Sequence, residues 1–248
     1  MKIVVCVNHV PDTETKVKVG SDGKTVDRQG INYILNPYDE FAVEEALRMK
    51  EKHGGEVIAM SLGGDAHKET LRKVLAMGAD KAVLLKDDTM RDSMGVARTL
   101  SDALKEMSPD VIWVGKQSID YDNAAMAGLI AEMLNIPSVS VVVKEEIRDG
   151  KIVCEREIEG GHEIVESKLP AVLAAQKGLN EPRYPSLKGI MAAKSKPIEE
   201  RIAAKAEIAV EVLQMRKPEP KKPGRVVGSD VGAVRELVRL LHEEAKVV

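Results

Sequence analysis

The sequence predicts an α/β fold built on a doubly wound, mainly parallel sheet. Short, nearly continuous apolar runs recur along the chain, and such runs are typical of strands buried on both faces. Segments with apolar residues at helical spacing lie between these runs. Alternating strands and helices imply right-handed crossovers and helices on both faces of the sheet. A chain of 248 residues, 44% of them hydrophobic, can supply such a core.

The first half of the chain contains the most regular elements. Strands are expected at residues 3–7, 56–61, 82–85 and 111–114. The first helix is expected to begin at Asn36, because Asn is a favoured N-cap and Pro37 suits the first helical position. Asp39 and Glu40 then place acidic side chains in the first turn, where the helix dipole favours them. Further helices are expected up to residue 77, over 96–107 and from Met126 onwards.

Hairpins and shorter strands complete this domain. Residues 20–23 predict a β-hairpin excursion from the main sheet. A strand at 137–143 leads into a hairpin over 147–158, with its turn at Asp149 and Gly150, and residues 159–163 form a second turn. A short buried strand is expected at 170–174 and a late strand at 208–215.

The C-terminal part is expected to be a helical arm on a linker. Residues 216–228 predict an extended linker, because three prolines and like charges oppose packing. Residues 229–248 predict an amphipathic helix, capped by Ser229 or Asp230, that can fold back on its own domain or reach another chain. The predicted organisation is therefore an α/β domain at 1–215, a linker at 216–228 and a helix at 229–248.

The polar segment at residues 115–126 is the strongest candidate for a ligand site. It follows a buried strand and leads into a helix, and doubly wound sheets bind small molecules at the carboxyl ends of their strands. Asp120 and Asp122 either cap and solvate a turn or contact ribose hydroxyls, since they would repel a phosphate. The phosphate is expected at the N-terminus of the next helix, with Asp122 or Asn123 as its cap.

Two other loops are candidates for binding. Gly63 and Gly64 follow a strand, where they either let a ligand approach the backbone or serve only the turn. The loop at 178–187 is long, holds two prolines and is expected to show Tyr184 and Leu187 to solvent or to a partner.

Composition excludes several classes of function. The balance of 37 basic against 40 acidic residues gives no surface for nucleic acid or for an anionic membrane. Two cysteines outside any CxxC pattern exclude a disulfide framework and an iron–sulfur cluster bound by this chain alone, and five scattered histidines lack zinc spacing. No apolar run has the length of a signal peptide or a membrane span, so a soluble, cytoplasmic protein without direct membrane insertion is expected.

Several separated motifs resemble the beta subunit of an electron transfer flavoprotein, over nearly the whole chain. The first is VNHVPD at 7–12, in which Asn8 replaces the usual Lys. The second and third are NPYD at 36–39, followed by VEEA at 43–46, and GKQSID at 115–120. The most specific is REIEGGHE at 156–163, followed by LPAV at 169–172, LNEPRYPSL at 179–187 and then Ile190 and Met191.

The resemblance implies a Rossmann-like domain of the adenine-nucleotide-binding type, in a heterodimer with an alpha subunit. In this family the alpha subunit holds the redox-active FAD and the beta subunit binds a structural AMP. Electrons pass from dehydrogenases, including those of fatty acid beta-oxidation, to a membrane quinone oxidoreductase. The chain would thus be an electron-carrier subunit with no catalytic residues of its own.

Residue roles follow from the same resemblance. Partner dehydrogenases are implied to dock on Tyr184, Leu187, Ile190 and Met191, with Leu187 as the anchor, and Glu157 is implied to link the subunits. Tyr38 matches an aromatic position near the flavin. The positions that match the family's AMP contacts are Cys6 (by its backbone), Asn36, Pro37, Tyr38, Asp39, Leu62, Gly115, Lys116, Gln117, Ser118, Ile119, Asp120, Tyr121, Asp122, Asn123, Ala124, Ala125 and Met126.

The resemblance has departures that leave alternatives open. AMP-binding relatives commonly carry polar side chains where this chain has Ala124, Ala125 and Met126. The segment 120–124 is partly similar to the bifurcating branch, whose beta subunit holds a second FAD in place of AMP, whereas 160–161 and 180–184 favour the AMP-binding branch. More remote alternatives are an ATP-using adenine-nucleotide hydrolase, from a weak pyrophosphate-loop pattern at 61–65, and a nucleotide sensor similar to universal stress proteins.

Overall fold

The computed structural model describes residues 1–205, 207–221 and 223–248. The chain divides into two compact units. One comprises Met1–Val17 and Arg28–Leu213, and the other comprises Lys18–Asp27 and Gln214–Val248.

The first unit contains the strands that the structure describes and five of its described helices. The described strands are β1 Lys2–Cys6, β2 His9–Pro11, β3 Tyr33–Leu35, β4 Glu56–Gly63, β5 Lys81–Lys86, β6 Val111–Gly115, β7 Ser138–Arg148, β8 Lys151–Ile158, β9 Gly161–Lys168, β10 Ala171–Ala175 and β11 Ile198–Ile202. Its described helices are α1 Pro37–His53, α2 His67–Met77, α3 Ser93–Met107, α4 Met126–Leu134 and α5 Leu187–Ser195.

Among the described residues, nine strands form one sheet in the order β11-β5-β4-β1-β6-β10-β7-β8-β9. Pairing is parallel from β11 to β7, and β7, β8 and β9 are joined in antiparallel fashion. The predicted α/β fold with a doubly wound, mainly parallel sheet is therefore confirmed.

Each face of the sheet packs against its own layer of helices. Along β1, Ile3 and Val5 join a core with α1 and α2, whereas Val4 and Cys6 join a second core with α3 and α4. This alternation follows from the two-residue period of a strand, and it explains why the strand reads as a continuous apolar run. A fully buried side chain such as Ile3 stabilises the fold by about 1.5–3 kcal/mol.

The winding of the chain places a crevice between β1 and β6. From β1 the chain passes through α1 to β4 and through α2 to β5, which extends the sheet in one direction. It then crosses through α3 to β6, on the other side of β1, and passes through α4 to β7, after which β10 inserts between β6 and β7. The strand order reverses at this point, and in doubly wound sheets the carboxyl ends of the strands at such a reversal form the crevice where ligands bind.

Several smaller elements differ from the expectations. The predicted strand at 208–215 is wrong: this stretch contains no ladder, because the Asp92 carboxylate accepts hydrogen bonds from the amides of Ala209 (2.7 Å) and Val210 (2.9 Å). The strands β9 and β11 and the small antiparallel pair β2–β3 were not predicted from the sequence pattern. The expected loop at 178–187 ends in a further helix, α5, whose N-cap Ser186 accepts from the Gly189 amide at 3.0 Å.

The second unit contains the predicted hairpin excursion and the C-terminal helix. In the excursion, Val19 and Val26 form a single antiparallel bridge, and the Gly20 amide donates to the Thr25 carbonyl at 2.7 Å. The helix, α6, spans Ala233–Leu240 and continues as a π-helical turn at Leu241–Ala245. The prediction that Ser229 or Asp230 is the N-cap is wrong, because the helix begins later and Gly232 holds the N-cap position; Asp230 Oδ1 still accepts from the Ala233 amide at 3.2 Å. In the described part of the chain, no helix has the length and apolar character needed to cross a membrane.

Candidate functional site

The carboxyl ends of β1 and β6 are joined by one buried carboxylate, that of Asp39. Its Oδ2 accepts from the backbone amide of Asn8 at 2.8 Å, just after β1. Its Oδ1 accepts from the amide of Gly115 at 3.0 Å, at the end of β6. A Cβ on Gly115 would lie 2.4 Å from Asp39 Oδ1 and 2.7 Å from the Tyr38 Cβ, so only glycine fits there without a shift of the N-terminal turn of α1.

Burial dominates the electrostatics at this point. It raises the pKa of Asp39 to about 7, against the lowering effect of its amide hydrogen bonds, and the nearby Asp120 adds to the rise. Burial, and then the charge of Asp39, raise the pKa of the Cys6 thiol to about 12. Cys6 is therefore a neutral thiol near pH 7 and does not supply a thiolate nucleophile.

The side chain of Asn36 has a different role from the one predicted. Asn36 does occupy the N-cap position of α1, with Pro37 as the first helical residue, but its side chain makes no capping bond. Instead its Nδ2 donates to the Gln117 carbonyl at 3.0 Å, and its Oδ1 accepts from the Ile119 amide at 3.3 Å. The start of α1 is thereby tied to the loop after β6.

Asn8 is a site residue that the sequence reasoning did not assign. Its Nδ2 donates to Ser118 Oγ at 2.9 Å and to Asp120 Oδ2 at 3.1 Å, which fixes the loop after β6 to the end of β1. Its position directly after the first predicted strand, at the edge where such sheets bind ligands, could have identified it. Since the family's usual Lys is absent here, this contact adds no positive charge to the crevice.

The outer part of the loop is irregular and does not cap α4. Asp122 and Ala124 have φ angles of 52° and 50°, in the left-handed region. The prediction that Asp122 or Asn123 is the N-cap is wrong, because Asp122 Oδ1 accepts from Gln117 Nε2 at 2.7 Å and Asn123 Nδ2 donates to Ser93 Oγ at 2.8 Å. The N-cap position belongs to Ala125, which has no side-chain acceptor.

The uncapped start of α4 is a favourable position for an anion. The first amides of a helix have no partner within the helix, and they carry the positive end of its dipole. No described side chain accepts from the first amides of α4. At the beginning of the same loop, Lys116 Nζ lies 5.3 Å from the centre of the Tyr38 ring, in cation–π contact.

The structure brings most of the predicted nucleotide contacts to this one edge of the sheet. Cys6 ends β1, residues 36–39 start α1, and residues 115–126 run from the end of β6 to the first residue of α4. Leu62 is also at this edge, near the end of β4, but no described hydrogen bond joins it to the loop after β6.

The glycine pair after β4 serves the packing of the chain itself. An added Cβ on Gly63 would lie 2.2 Å from His67 Nε2, and one on Gly64 would lie 1.8 Å from Asp88 Oδ1. Ser61 Oγ donates to the Val7 carbonyl at 2.8 Å and therefore accepts from His67 Nδ1, also at 2.8 Å. Side chains of this protein thus occupy the space that a pyrophosphate loop would offer to phosphates.

The second predicted site is an exposed apolar surface on and before α5, here called the α5 patch. Tyr184 and Leu187 are 95% and 84% exposed, and Met191 is 65% exposed. Ile190 completes the patch. Large apolar side chains grouped in this way on a short helix are typical of a protein-binding surface.

Glu157 lies apart from both regions, on β8. Its side chain is exposed and accepts from Gln176 Nε2 at 2.8 Å, next to the end of β10. Within the part of the chain that the structure describes, no three His, Cys, Asp or Glu side chains converge as metal ligands.

Comparisons with known proteins identify the family of this chain. A family model described as "Electron transfer flavoprotein domain" matches residues 23–206. An electron transfer flavoprotein subunit beta of Syntrophomonas wolfei is 43% identical over 225 residues, which cover 90% of this chain and 88% of that protein. The subunit beta of Bacillus subtilis is 39% identical, with both chains fully covered.

A relative with a more specific name is subunit CarD of the caffeyl-CoA reductase-Etf complex of Acetobacterium woodii. It is 41% identical over 202 residues, which cover 80% of this chain and 77% of that protein. With a family model over most of its length and beta subunits as its full-length relatives, the chain belongs to the electron transfer flavoprotein family, as a beta subunit.

Proposed function

We propose that this chain pairs with an FAD-bearing alpha subunit and binds a structural AMP in the crevice between β1 and β6. The observation that carries the proposal is the position of this crevice, at the reversal of strand order, next to the uncapped N-terminus of α4. In a bacterial cytoplasm, the heterodimer would accept electrons from dehydrogenases and pass them to a membrane quinone oxidoreductase.

The residues present fit a nucleotide with one phosphate. The first backbone amides of α4 and the ammonium group of Lys116 would hold the phosphate. Asp120 and Asp122 carry the hydrogen-bond acceptors that ribose hydroxyls need. Since Ala124 and Ala125 offer no polar side chain, the phosphate would depend on backbone amides for its hydrogen bonds.

Charge argues against a polyphosphate in the same crevice. Asp39, Asp120 and Asp122 lie around it, with Lys116 as the cation of the loop. At an effective dielectric constant near 20, two unit charges 4 Å apart interact by about 4 kcal/mol, so each further phosphate charge near these carboxylates is costly. AMP satisfies this constraint better than ATP does.

FAD in place of AMP is the second candidate for this crevice. The observation that favours it is the small, apolar start of α4, where the polar side chains common in AMP-binding relatives are missing. FAD also carries an adenylate half, so the same amides could hold its phosphates. The two candidates differ in the nucleotide content of the heterodimer, which can be measured.

We propose that the electron donors are dehydrogenases acting on acyl-CoA thioesters, including those of fatty acid beta-oxidation. The name of the CarD relative supports a partner enzyme that acts on a CoA thioester, since that protein belongs to a complex with a reductase for such a thioester; the direction of electron flow is our proposal. On this chain the α5 patch would receive the donor, with Leu187 as the anchor. Glu157 would contact the alpha subunit, and the C-terminal helix α6 would pack on it.

In this mechanism the chain binds and orients but breaks no covalent bond. The FAD of the alpha subunit supplies the redox chemistry when it is bound. Asp39, Asn36 and Asn8 would keep the crevice closed around the nucleotide, and the nucleotide in turn would stiffen the loops that face the alpha subunit. The α5 patch would hold a donor close to the flavin domain for long enough to transfer electrons.

The decisive experiment is to purify the native heterodimer, denature it and identify the released nucleotides by mass. The proposal predicts AMP and one FAD per heterodimer. Two FAD and no AMP would establish the second candidate. A heterodimer without any adenine nucleotide besides the alpha-subunit FAD would overturn both. A stable homodimer that never associates with an alpha subunit would instead support a stand-alone nucleotide sensor.

A further inference from the structure

The α5 patch is mounted on a helix that has little core of its own. Helix α5 is nine residues long, and Ala193 is its buried residue. Isolated helices of this length are marginal in water, so tertiary anchors must hold it. Two arginines provide such anchors: Arg72 binds carbonyls at the C-terminal end of α5, and Arg183 lies just before its N-terminus.

The anchor at the C-terminal end of α5 is Arg72 of α2. Its Nη1 donates to the Ala193 carbonyl at 2.6 Å and also to the carbonyl of Lys196. Lys196 Nζ donates in turn to the Ala79 carbonyl, just after α2, at 2.6 Å. Positive groups at a helix C-terminus satisfy its free carbonyls and complement its dipole, so this end of α5 is fixed to α2.

The anchor at the N-terminal side is Arg183, which binds two carboxylates of α1. Its Nε and Nη2 donate to the two oxygens of Glu44 at 2.8 and 3.0 Å. Its Nη1 and Nη2 donate to the two oxygens of Glu51 at 2.6 and 3.2 Å. The Arg183 backbone amide adds a bond to Glu44 at 3.1 Å. Bidentate pairs of this kind fix the orientation of the guanidinium group relative to the carboxylates as well as the distance between them.

The position of Glu44 makes this anchor stronger than an ordinary surface ion pair. Glu44 is only 4% exposed, so its carboxylate is poorly solvated and depends on its partners. Glu51 is exposed, and the hydrogen bonds from Arg183 lower its pKa. Asn180 supports the same attachment, since its Nδ2 donates to the Phe41 carbonyl at 3.0 Å and to Glu45 at 2.7 Å.

We propose that Arg183 is the positioning residue of the α5 patch, an inference that rests on the proposed function. Its bidentate hydrogen bonds to Glu44 and Glu51, here called the clamp, hold the patch in the orientation that receives the donor dehydrogenase. Tyr184 follows Arg183 directly, and Leu187 is the first residue of α5. A patch that is ordered before binding loses less conformational entropy when the partner docks. Releasing the clamp frees this segment and weakens docking without altering any residue that touches the partner.

The test compares Arg183→Ala with Arg48→Ala in the full heterodimer. Arg48 also pairs with Glu44, at 3.4 Å, but it lies on α1 and is half exposed, so its loss leaves the segment attached. The readouts are the KM and kcat for reduction by an acyl-CoA dehydrogenase, the nucleotide content, and the hydrogen exchange of residues 184–191. Arg183→Ala is expected to raise the KM about tenfold with kcat and nucleotide content unchanged, and to speed exchange in this segment. Arg48→Ala is expected to match the wild type.

Two further variants complete the test. Arg183→Lys keeps the charge without the bidentate geometry and is expected to restore part of the KM. Glu51→Gln removes the exposed carboxylate alone, so it reports on the clamp even where Arg183→Ala fails to fold, and it is expected to speed the exchange of 184–191. Unchanged exchange and KM in Arg183→Ala or Glu51→Gln, with a raised KM in Leu187→Ala, would overturn the role of Arg183 and leave the proposed function intact. An unchanged KM in Leu187→Ala as well would overturn donor docking on the patch.

Discussion

The buried carboxylate of Asp39 predicts an unusual pH dependence of stability. Its pKa is about 7 in the folded chain, against 3.8 for an unperturbed aspartate. Because the folded state holds the proton more tightly than the unfolded state, the contribution of this group to stability is complete below pH 4 and is lost as the pH rises towards 7. A difference of about three pKa units, at roughly 1.4 kcal/mol per unit, corresponds to about 4 kcal/mol.

The perturbation that isolates this effect is Asp39→Asn, which cannot ionise. The variant keeps one oxygen acceptor for the amides of Asn8 and Gly115, so it is expected to be less stable than the wild type at pH 4, by about 1–3 kcal/mol for the amide left without a partner. As the pH rises to 8, the wild type is expected to lose about 4 kcal/mol relative to the variant, which reverses the order of stability.

Chemical denaturation of both proteins at pH 4, 6 and 8 measures this difference, and subtraction cancels the groups that titrate alike in both. Cys6 does not interfere, since its thiol stays neutral over this range. Asp120→Asn is a useful companion, because removing its charge should lower the pKa of Asp39 and reduce the slope. A difference between wild type and Asp39→Asn that stays constant from pH 4 to 8 would refute the reasoning.

Three other substitutions test separate parts of the molecule. Leu187→Ala is expected to raise the KM for a donor dehydrogenase about tenfold in a steady-state assay while flavin content stays constant; equal coupling would contradict it. Gly115→Ala is expected to lower stability by about 1–3 kcal/mol and to reduce bound nucleotide, measured by thermal unfolding and mass analysis. Gly128→Ala is its control, because an added Cβ meets nothing within 4 Å there. Ser186→Ala is expected to lower the free energy of unfolding by about 1 kcal/mol and to speed the hydrogen exchange of the α5 amides. Unchanged exchange rates would show that the cap is dispensable.

The parts of the fold that could be predicted are those governed by burial. Strands such as β1 and β6 are apolar throughout because both faces are covered, and that pattern is visible in the sequence. The missed strands β9 and β11 lie at the two edges of the sheet and carry many charged residues. Charged residues on edge strands discourage pairing with other chains. Because of these charges, β9 and β11 contain no apolar run from which a strand could be predicted.

Side-chain roles at the crevice were harder to predict because the partners are distant in the sequence. Asn36 reads locally as a capping residue, yet it bonds to Gln117, 81 positions away. Asp39 reads as an acid that favours a helix dipole, yet it binds the amide of Gly115, 76 positions away. The location of the site was predictable because carboxyl ends of parallel strands meet at one edge. The bonds that shape it depend on the register between β1 and β6, which the sequence does not display.

Helix α1 contributes residues to both candidate sites, and this limits how the chain can change. Its first turn supplies Asn36 and Asp39 to the crevice, and its middle and last turns supply Glu44 and Glu51 to Arg183. Each residue added to or deleted from a helix rotates everything beyond it by about 100° and moves it by about 1.5 Å. A one-residue insertion between Asp39 and Glu44 would therefore turn the glutamates away from Arg183 while the contacts of Asn36 and Asp39 stayed in place, so the spacing along α1 couples the two candidate sites.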